Sequence, residues 1–278
     1  LCVGLNYGRH VAEAGRELPA HPSLFARFAD SFVGHGEAVW KPQASDRFDY
    51  EAELAVVIGR GGRHIAARDA LAHVAGYTCM AENSVRDFQK HNAQVTPGKN
   101  FERSGALGPW LVTADEIGDP AGLEVISRLN GEVMQHGQVS DLIFPIPELI
   151  AYISSFTRLS PGDVIATGTP EGVGSSRKPP RFMSAGDTLE VEIPGLGTLI
   201  NTVADEPPPT NKETRMSDAL RYLTERDVVS VLDIPKAIEA LHAMLVAQGR
   251  EQARNLPKAL ATWGDGSSMH ALGSVQTG

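Results

Sequence analysis

The sequence predicts a β-rich α+β fold, because strand patterns outnumber helix patterns along most of the chain. Residues 54–58 (LAVVI) form a continuous, partly β-branched apolar run, which is typical of a strand buried on both faces. Residues 189–193 (LEVEI) alternate apolar and charged side chains, which is typical of a strand with one buried face. Asn130-Gly131 separates two strand-like segments between residues 123 and 140 and is a strong hairpin signal.

Shorter patterns predict the other elements of the first half. Asn6-Tyr7-Gly8 is expected to turn the end of a strand into a polar helix that carries His10, Glu13 and Glu17. Residues 59–62 (GRGG) lack the Lys-Ser/Thr ending of a phosphate-binding loop, so we interpret them as a tight turn. In chain order we also predict a strand end at 1–5, short strands and loops at 15–46, a short helix at 66–74, and strands at 76–80 and 108–112.

The second half contains one strong helix pattern, at residues 144–156, with Pro147 in its first turn. The predicted apolar face of this helix consists of Leu149, Ile150, Ile153 and Phe156. Further strands are predicted at 164–167 and 197–203.

Composition and charge describe an ordinary globular chain. Its 278 residues are 42% apolar and 21% charged, which is sufficient for a substantial hydrophobic core. The formal net charge of −9 and the lack of a dense Lys/Arg cluster argue against nucleic acid or an anionic membrane as partner, so we expect a small-molecule ligand. No apolar run in the sequence is long enough to span a bilayer.

The two cysteines, Cys2 and Cys79, are too few for a disulfide framework or a thiolate metal site. This favours a reducing compartment, and we expect a cytoplasmic protein. The sequence begins at Leu1 without a methionine, which indicates a fragment or a processed product and leaves a lost leader as an open alternative.

Two glutamates stand at the beginning of the apolar strand. Glu51 and Glu53 are one strand period apart, so their side chains share one face. Where a doubly buried strand emerges, two ionised carboxylates repel each other unless a cation joins them. One interpretation is therefore a metal site, and the other is an exposed strand face on which both glutamates are solvated.

His10 and Glu13 are three residues apart in the predicted N-terminal helix and so lie on one face of it. A carboxylate that orients a histidine ring and favours its charged form is the minimum needed to take a proton from water. The alternative is an exposed His/Glu pair on a surface helix.

A dense polar turn follows the strand at 76–80. Arg86 offers a planar fork that matches a substrate carboxylate, and Gln89 lies one helical turn further on. The alternative is a helix cap with a surface salt bridge.

Two loops add further candidates. Lys99 lies in the Pro/Gly loop at 96–101, where it is either aimed by the loop or solvated. Residues 168–174 (GTPEGVG) follow a strand, and such a Gly/Thr loop allows backbone N–H groups and the Thr169 hydroxyl to approach a ligand. A plain turn is the competing interpretation.

With these residues assembled, the segment from Cys2 to about Ala204 resembles the fumarylacetoacetate hydrolase family. The resemblance covers nearly the whole predicted domain, 1–205, and its motifs are highly specific in combination. They are residues 49–54 (DYEAEL), 84–89 (SVRDFQ), 98–99 (GK), 107–110 (LGPW), 161–170 (PGDVIATGTP) and 178–180 (KPP).

The resemblance implies a mixed β-sandwich roll, usually dimeric, with a divalent cation on three carboxylates. The cation is commonly Mg²⁺ or Mn²⁺, with Ca²⁺ as a further candidate, and by position its ligands are Glu51, Glu53 and Glu82. The commoner third ligand in relatives is aspartate, and the extra methylene of Glu82 requires a shift of the backbone or of the metal. Arg27 is a second departure, because many relatives carry lysine there, and the sequence assigns it no role.

The resemblance also implies roles for the weaker candidates. His10 and Glu13 match a His-x-x-Glu pair on a mobile N-terminal segment that closes over bound ligand. The implied catalytic residues are His10, Glu13 and Lys99, and the implied substrate-binding residues are Arg86, Gln89 and Thr169.

The expected activity is that of a metal-dependent hydrolase or lyase acting on C–C bonds of 2-oxo or 1,3-dioxo acids through a metal-stabilised enolate. Hydratase, isomerase and oxaloacetate decarboxylase chemistry share that enolate and stay open as alternatives. A noncatalytic metal- and acid-binding protein is the alternative from another class. A homodimer is the expected assembly.

The C-terminal part of the sequence differs in character. Residues 206–215 have the composition of a linker. Residues 216–278 resemble a truncated opening of the ornithine cyclodeaminase and mu-crystallin family, without its dinucleotide loop. One amphipathic helix is predicted there, with Pro235 in its first turn and Gly249 after its end. We expect this fragment to have no activity.

Overall fold

The computed structural model describes residues 1–208 and the backbone of four short strands further along the chain. The chain divides into two compact units, Leu1–Pro208 and Pro209–Gly278, which are described separately.

The first unit contains fourteen strands among the described residues. They are β1 (Cys2–Gly4), β2 (Ser23–Phe25), β3 (Phe32–Val33), β4 (Val39–Lys41), β5 (Phe48–Asp49), β6 (Ala52–Ile58), β7 (Val74–Ala81), β8 (Ser84–Val85), β9 (Gly105–Thr113), β10 (Glu124–Leu129), β11 (Glu132–Gln138), β12 (Val164–Ala166), β13 (Thr188–Ile193) and β14 (Gly197–Asp205).

The strands form two large mixed sheets and one small ladder. The seven-stranded sheet has the order β2-β1-β12-β6-β7-β9-β3, and the five-stranded sheet has the order β11-β10-β13-β14-β4. Each sheet contains both parallel and antiparallel pairs. Strands β10, β13 and β14 of the second sheet contact the centre of the first at β6 and β7. This arrangement confirms the predicted β-rich sandwich fold.

The hydrophobic core lies between the two sheets. Leu54 and Val56 of β6 and Val125 and Val191 of the second sheet are fully or almost fully buried members of one cluster. The continuous apolar run of β6 is buried because the strand lies in the middle of its sheet, as predicted. Its central position fixes the frame on which the polar residues at its start are held.

Within residues 1–208, five α-helices and several 3₁₀ turns connect the strands. The α-helices are α1 (Gly8–Glu13), α2 (Arg86–Gln89), α3 (Thr96–Lys99), α4 (Ala114–Ile117) and α5 (Ile146–Phe156), and the 3₁₀ segments are Ala29–Ser31, Ala67–His73, Pro120–Gly122, Val139–Asp141 and Gly174–Ser176. Among the residues described, no helix combines the length and the apolar character that a membrane crossing requires.

Three local predictions are corrected. The predicted loop at 96–101 contains helix α3, with Pro97 in its first turn, where the missing N–H of proline is not needed. The helix at 66–74 is a 3₁₀ helix that ends at His73. Phe156 is 54% exposed, because it is the last residue of α5 and lies beyond the buried face.

The N-terminal helix is also shorter than predicted. It ends at Glu13, and Gly15 adopts a left-handed φ of 63° two residues later, which is a common way for a helix to terminate. Glu17 therefore lies outside α1, whereas His10 and Glu13 lie within it.

In the second unit, β15 (Ala253–Asn255) pairs with β18 (Ser274–Gln276), and β16 (Ala259–Thr262) pairs with β17 (Ser268–Ala271), both antiparallel. The predicted linker beyond residue 208 and the predicted helix around Pro235 lie outside the described residues.

Candidate active site

The pairing of β6 with β7 brings the three predicted metal ligands together at one end of these two central strands. Ala52 is paired with Ala81, so Glu51 and Glu82 are neighbours across the two strands, and the Glu82 N–H donates to the Glu51 carbonyl oxygen at 2.8 Å. Glu53 is two residues along β6 and shares the face of Glu51. Register therefore determines the meeting of residues that are thirty positions apart in the sequence.

The three glutamates form a compact and buried carboxylate cluster. One carboxylate oxygen of each of Glu51, Glu53 and Glu82 lies within 4.8 Å of those of the other two. Their exposed fractions are 4%, 1% and 0%, which rules out the solvated strand face. Glu82 therefore joins the cluster, although its side chain is one methylene longer than that of the aspartate expected at this position.

Two cations contact the cluster from the α2–α3 side. Lys99 Nζ lies 2.9 Å from Glu51 Oε2 and also contacts Glu82 Oε2. Arg86 Nη1 lies 2.5 Å from Glu51 Oε1. Helix α3 can approach α2 this closely because Gly98 has no side chain. A Cβ at that position would lie 2.4 Å from the backbone nitrogen of Gln89. Lys99 is thus aimed by its segment and is not solvated.

A third cation contacts the other carboxylate oxygen of Glu82. Arg27 Nη1 lies 2.9 Å from Glu82 Oε1, and both side chains are 1% exposed. Sequence reasoning gave Arg27 no role, because nothing in the local pattern connects residue 27 with residue 82.

Glu53 differs from its two neighbours. Its Oε2 accepts a hydrogen bond from the Gly168 N–H at 2.8 Å, but no lysine, arginine or histidine of residues 1–208 forms a salt bridge with it. Burial, reinforced by the charges of Glu82 and Glu51, raises the pKa of Glu53 well above its usual range. In the protein without a bound cation, this environment favours the protonated form of Glu53.

Burial and neighbouring charges shift the pKa values of the other groups of the cluster in different directions. Burial opposes ionisation of Glu51, but Arg86 and Lys99 outweigh it and lower its pKa. For Glu82, burial prevails over the attraction of Lys99 and Arg27, and its pKa is raised. Burial would lower the pKa of Lys99, but Glu51 and Glu82 raise it above its usual range, so the ammonium group stays charged.

The donor set fits a divalent cation. The buried Asp, Glu, Arg and Lys groups at the site are the carboxylates of Asp49, Glu51, Glu53 and Glu82 and the cations of Arg27, Arg86 and Lys99. With all of them ionised, the carboxylates exceed the cations by one, and Glu53 is the member without a cationic partner. Three convergent carboxylates supply the hard oxygen ligands that Mg²⁺, Mn²⁺ and Ca²⁺ prefer.

Arg86 is held by carboxylates but retains a free donor. Its Nε donates to Asp49 Oδ2 at 2.6 Å, and its Nη1 donates to Gln89 Oε1 at 3.0 Å. Its Nη2 is buried and has no hydrogen-bond partner among the described residues. Because an unpaired buried donor is costly, this Nη2 is suited to receive an anionic ligand. The alternative of a surface salt bridge is wrong for Arg86, which is 7% exposed.

The His10–Glu13 pair is formed and attached to the glycine loop. His10 Nδ1 lies 2.8 Å from Glu13 Oε1, and the Gly172 N–H donates to both carboxylate oxygens of Glu13, at 3.0 and 3.2 Å. His10 is 8% exposed and close enough to Glu51 to help lower the pKa of that carboxyl group. The pair therefore lies at the site and not on a remote surface.

Thr169 is placed against the backbone of β6. Its hydroxyl group donates to the Ala52 carbonyl oxygen at 2.9 Å and accepts from Gln135 Nε2 at 2.8 Å. The Gln135 amide oxygen accepts from the Ala52 N–H at 3.0 Å. Gln135 thus holds the backbone between Glu51 and Glu53 and the Thr169 loop in one arrangement.

Sequence reasoning missed three supporting residues: Arg27, Asp49 and Gln135. Asp49 is fully buried and accepts from Arg86 and from the N–H groups of Gly174 and Ser175, at 2.7 and 2.9 Å. Its position two residues before Glu51 was a weak signal. No sequence signal pointed to Gln135, which reaches the site from the second sheet.

The first unit is similar in sequence and in structure to known proteins. Residues 1–204 match the family described as fumarylacetoacetate (FAA) hydrolase C-terminal. The chain is 47% identical over 205 residues to the human protein named oxaloacetate tautomerase FAHD2A, mitochondrial, and the match covers 73% of this chain and 65% of that protein. The chain thus spans just under two thirds of the length of this relative.

Two solved structures are similar. The 5-carboxymethyl-2-hydroxymuconate delta-isomerase from Mycobacterium smegmatis has a TM-score of 0.66 and 35% identity, with 74% of this chain and 78% of that chain covered. The fumarylpyruvate hydrolase from Pseudomonas aeruginosa, in complex with Mn²⁺ and pyruvate, also has a TM-score of 0.66, with 34% identity and coverage of 74% and 88%. These names comprise an isomerase and a hydrolase.

Proposed function

The chain belongs to the fumarylacetoacetate hydrolase family, and on that premise we propose that it is a metal-dependent enzyme that interconverts the keto and enol forms of a small 2-oxo acid. The observation that carries the proposal is the buried carboxylate cluster of Glu51, Glu53 and Glu82, bordered by Lys99 and by the free Nη2 of Arg86. The human relative's name, an oxaloacetate tautomerase, supports keto–enol chemistry.

Glu51, Glu53 and Glu82 would hold the cation, Mg²⁺ or Mn²⁺. When bound, the cation would act as a Lewis acid that polarises the 2-oxo group and stabilises negative charge on its oxygen. The solved fumarylpyruvate hydrolase, a complex with Mn²⁺ and pyruvate, supports this choice of ion and ligand class.

Arg86 is proposed to bind the substrate carboxylate. Its Nε is fixed by Asp49 and its Nη1 by Glu51 and Gln89, so the remaining Nη2 has a defined direction. A planar, immobilised guanidinium group discriminates a carboxylate from a neutral group better than a flexible ammonium group does.

Lys99 is proposed to stabilise charge and not to act as the base. The two glutamates around it keep its ammonium group protonated, so it has no lone pair to accept a proton. A fixed positive charge beside the reacting oxygen stabilises the enolate more than the keto acid, and this difference lowers the barrier.

His10, oriented by Glu13, is proposed to move the proton. In the forward direction the C–H bond next to the 2-oxo group breaks and the imidazole takes the proton. The C–H electron pair forms the C=C bond while the C=O π pair moves onto the oxygen, which gives the enolate. The same imidazole returns the proton to the oxygen or carbon atom of the enolate, so atoms and charge balance.

A second candidate reaction is hydrolysis of a C–C bond in a 1,3-dioxo acid, as in an acylpyruvate. The His10–Glu13 pair favours it, because an imidazole with an oriented carboxylate can also take a proton from an attacking water molecule.

A homodimer and a cytoplasmic location are likewise proposals. The resemblance to the family supports the homodimer, and the two unpaired cysteines, Cys2 and Cys79, support a reducing compartment such as the cytoplasm.

The metal site is tested with the variant Glu51→Gln/Glu53→Gln. We expect the full chain to bind Mn²⁺ in calorimetry and the double variant to lose that binding, because two of three anionic ligands become neutral. Unchanged affinity in the double variant would exclude the site.

The reaction is tested with a substrate panel and Mg²⁺. We expect the enol absorbance of oxaloacetate to relax faster with the protein than without it, and only when the cation is present. Turnover of acylpyruvates without any effect on oxaloacetate would favour hydrolysis. Binding of both acids without turnover would favour the noncatalytic alternative.

A further inference from the structure

We propose that Arg27 is a positioning residue that orients Glu82 and thereby allows a glutamate to act as the third metal ligand. This inference rests on the proposed metal site at Glu51, Glu53 and Glu82. It goes beyond that site because it assigns a role to a side chain that would not touch the metal.

The guanidinium group of Arg27 is itself immobilised. Its Nη1 donates to Glu82 Oε1 at 2.9 Å and to the Asn83 carbonyl oxygen at 3.1 Å. Its Nη2 donates to Ser104 Oγ at 2.7 Å and to the Ser31 carbonyl oxygen at 3.3 Å, and its Nε donates to Ser31 Oγ at 3.2 Å. All three nitrogens are therefore engaged, and the group cannot follow a moving carboxylate.

The surrounding residues are shaped for this guanidinium group. Its central carbon lies 4.6 Å from the centre of the Phe32 ring, in a cation–π contact. A Cβ at Gly105 would approach Arg27 Nη2 to 2.8 Å, so the absence of a side chain there leaves the space that the group occupies. A lysine has a single nitrogen and could not reach Glu82, Ser31 and Ser104 together.

A glutamate at position 82 depends more than an aspartate would on a partner that fixes the orientation of its carboxylate. Glutamate has one more rotatable bond, and ordering it in a metal site costs more conformational entropy. Arg27 holds Oε1, while Oε2 is directed toward Lys99 and the cluster. One oxygen of Glu82 is thus held by Arg27, and the other contacts Lys99, which also contacts Glu51.

Arg27 has two opposing effects on a bound cation. Its positive charge repels the cation, but its grip on Glu82 supplies an oriented ligand. With Glu82 present, the orientation of the ligand outweighs the repulsion of the cation, because the ion pair with Glu82 offsets most of the guanidinium charge. With a neutral residue at position 82, only the repulsion is left. The loss of affinity on removing Arg27 should therefore disappear or reverse when residue 82 is neutral.

The experiment measures the Mn²⁺ dissociation constant by calorimetry, without substrate, for the full-length wild type, Arg27→Gln, Glu82→Gln and the double variant. We expect Arg27→Gln to weaken binding about tenfold or more, which corresponds to about 1.4 kcal/mol. In the Glu82→Gln protein, the same change should leave the affinity unchanged or improve it. Arg27→Lys should fall between the wild type and Arg27→Gln.

The matched control is Arg103→Gln. Arg103 is also an arginine that pairs with a carboxylate, Glu37 at 2.9 Å, and lies over an aromatic ring, Trp40 at 5.0 Å. It makes no contact with the carboxylate cluster, so Mn²⁺ affinity should stay at the wild-type value. Thermal unfolding without metal shows how far each variant is destabilised independently of the cation.

Wild-type affinity in folded Arg27→Gln would overturn the inference, and so would an equal loss in both backgrounds at position 82. If Arg27→Gln does not fold, Arg27→Lys decides, and wild-type affinity in that variant overturns the inference. Failure of the wild type to bind Mn²⁺ would overturn the proposed metal site and this inference with it. Binding by the wild type with no effect of Arg27 overturns the inference alone.

Discussion

Glu53 is the residue with the most unusual environment in the site. It is 1% exposed, and its one polar contact from the backbone is the Gly168 N–H. A buried carboxyl group without a cationic partner is unstable as an anion, and it either keeps its proton or binds a cation. The same environment therefore makes Glu53 a weak acid in the metal-free protein and a strong ligand when a cation is available.

Metal stabilisation should depend on pH through Glu53. Its folded pKa is raised above that of the unfolded chain, so in the metal-free protein its contribution to stability is fully present below the unfolded pKa and is lost as pH rises through the folded pKa. Mn²⁺ displaces this proton, and its binding strengthens with pH. We expect the increase in Tm with Mn²⁺ to be larger at pH 8 than at pH 5.5. At a free concentration of 100 times Kd, the stabilisation is about 2.7 kcal/mol.

Thermal unfolding with and without Mn²⁺ at the two pH values measures this difference. Glu53→Gln is the control, because it cannot release a proton and should bind the cation weakly at both pH values. An increase in Tm that is equal at pH 5.5 and pH 8 in the wild type would show that Glu53 is already ionised before the metal binds.

His10 and Glu13 should act as one unit. The carboxylate fixes the ring, so each residue depends on the other, and His10→Ala and Glu13→Gln should each reduce kcat about tenfold to a hundredfold. The double variant should cost little more than the worse single variant, and Mn²⁺ affinity should be unchanged in all three. Steady-state kinetics and calorimetry provide the two measurements.

The chain offers a matched control for this pair. His136 Nε2 lies 3.2 Å from Glu124 Oε2 on the exposed face of the hairpin, and its substitution by alanine should leave kcat unaltered. Fully additive losses at His10 and Glu13 would contradict a shared role. Wild-type kcat in His10→Ala would remove this residue from the mechanism.

At the scale of elements, the 168–176 loop connects most parts of the site. Its backbone N–H groups bind Glu53 through Gly168, Glu13 through Gly172 and Asp49 through Gly174. Asp49 in turn holds Arg86, so the loop links the carboxylate cluster with both the proton-transfer pair and the proposed substrate anchor. Close approach of backbone to side chain explains why glycine recurs in this loop.

Gly174→Ala should be strongly destabilising. A Cβ at this position would lie 1.9 Å from the Arg181 carbonyl oxygen and 2.6 Å from Asp49 Oδ1, so the backbone must move. We expect a loss of about 1–3 kcal/mol in the free energy of unfolding, measured by urea denaturation. Gly122→Ala is the control, because a Cβ there has no neighbour within 4 Å and should change the stability little.

The same loop displacement should also reduce activity in Gly174→Ala under conditions where the protein is folded. A fall in kcat/KM together with weaker binding of the substrate acid would show that Asp49 and Arg86 have moved. An alanine variant with wild-type stability and activity would show that the loop adapts without cost.

At the scale of the whole molecule, the site belongs to the first unit. Each contact described for the site is made by residues of Leu1–Pro208, and the family match ends at residue 204. The core between the two sheets fixes β6 and β7, and these strands fix the carboxylates. The unit thus contains the described machinery of the proposed reaction.

Removal of the C-terminal unit should therefore have little effect on catalysis. We expect truncation after Arg215 to change kcat/KM by less than tenfold, which corresponds to about 1.4 kcal/mol of transition-state stabilisation. Kinetics of the truncated and full-length chains provide the comparison. A larger fall, at unchanged thermal stability of the first unit, would show that residues beyond 215 complete the active site or the assembly.

Local pattern by itself determined much of the fold. The apolar run of β6, the alternation of β13, the Asn130-Gly131 hairpin and the face of α5 could be read from the sequence, because each depends on neighbours within a few residues. The polar turn after the strand at 76–80 supplied Arg86 as a candidate, and the resemblance supplied Glu82 by position. Within residues 1–208, these inferences failed at the ends of elements, as at Phe156 and Glu17, and at residues 96–99, where a predicted loop is helix α3.

Only the tertiary structure decided which charges meet. The register of β6 with β7 places Glu51 beside Glu82, and the segment that follows β2 brings Arg27 to Glu82 across 55 positions of sequence. Gln135, from the second sheet, contacts Ala52 and Thr169, and Asp49 accepts hydrogen bonds from the backbone of the 168–176 loop. No local sequence pattern predicts either set of contacts. Electrostatic interactions act through space, so the protonation of Glu53 and the charge of Lys99 follow from burial and distance, which a linear sequence does not contain.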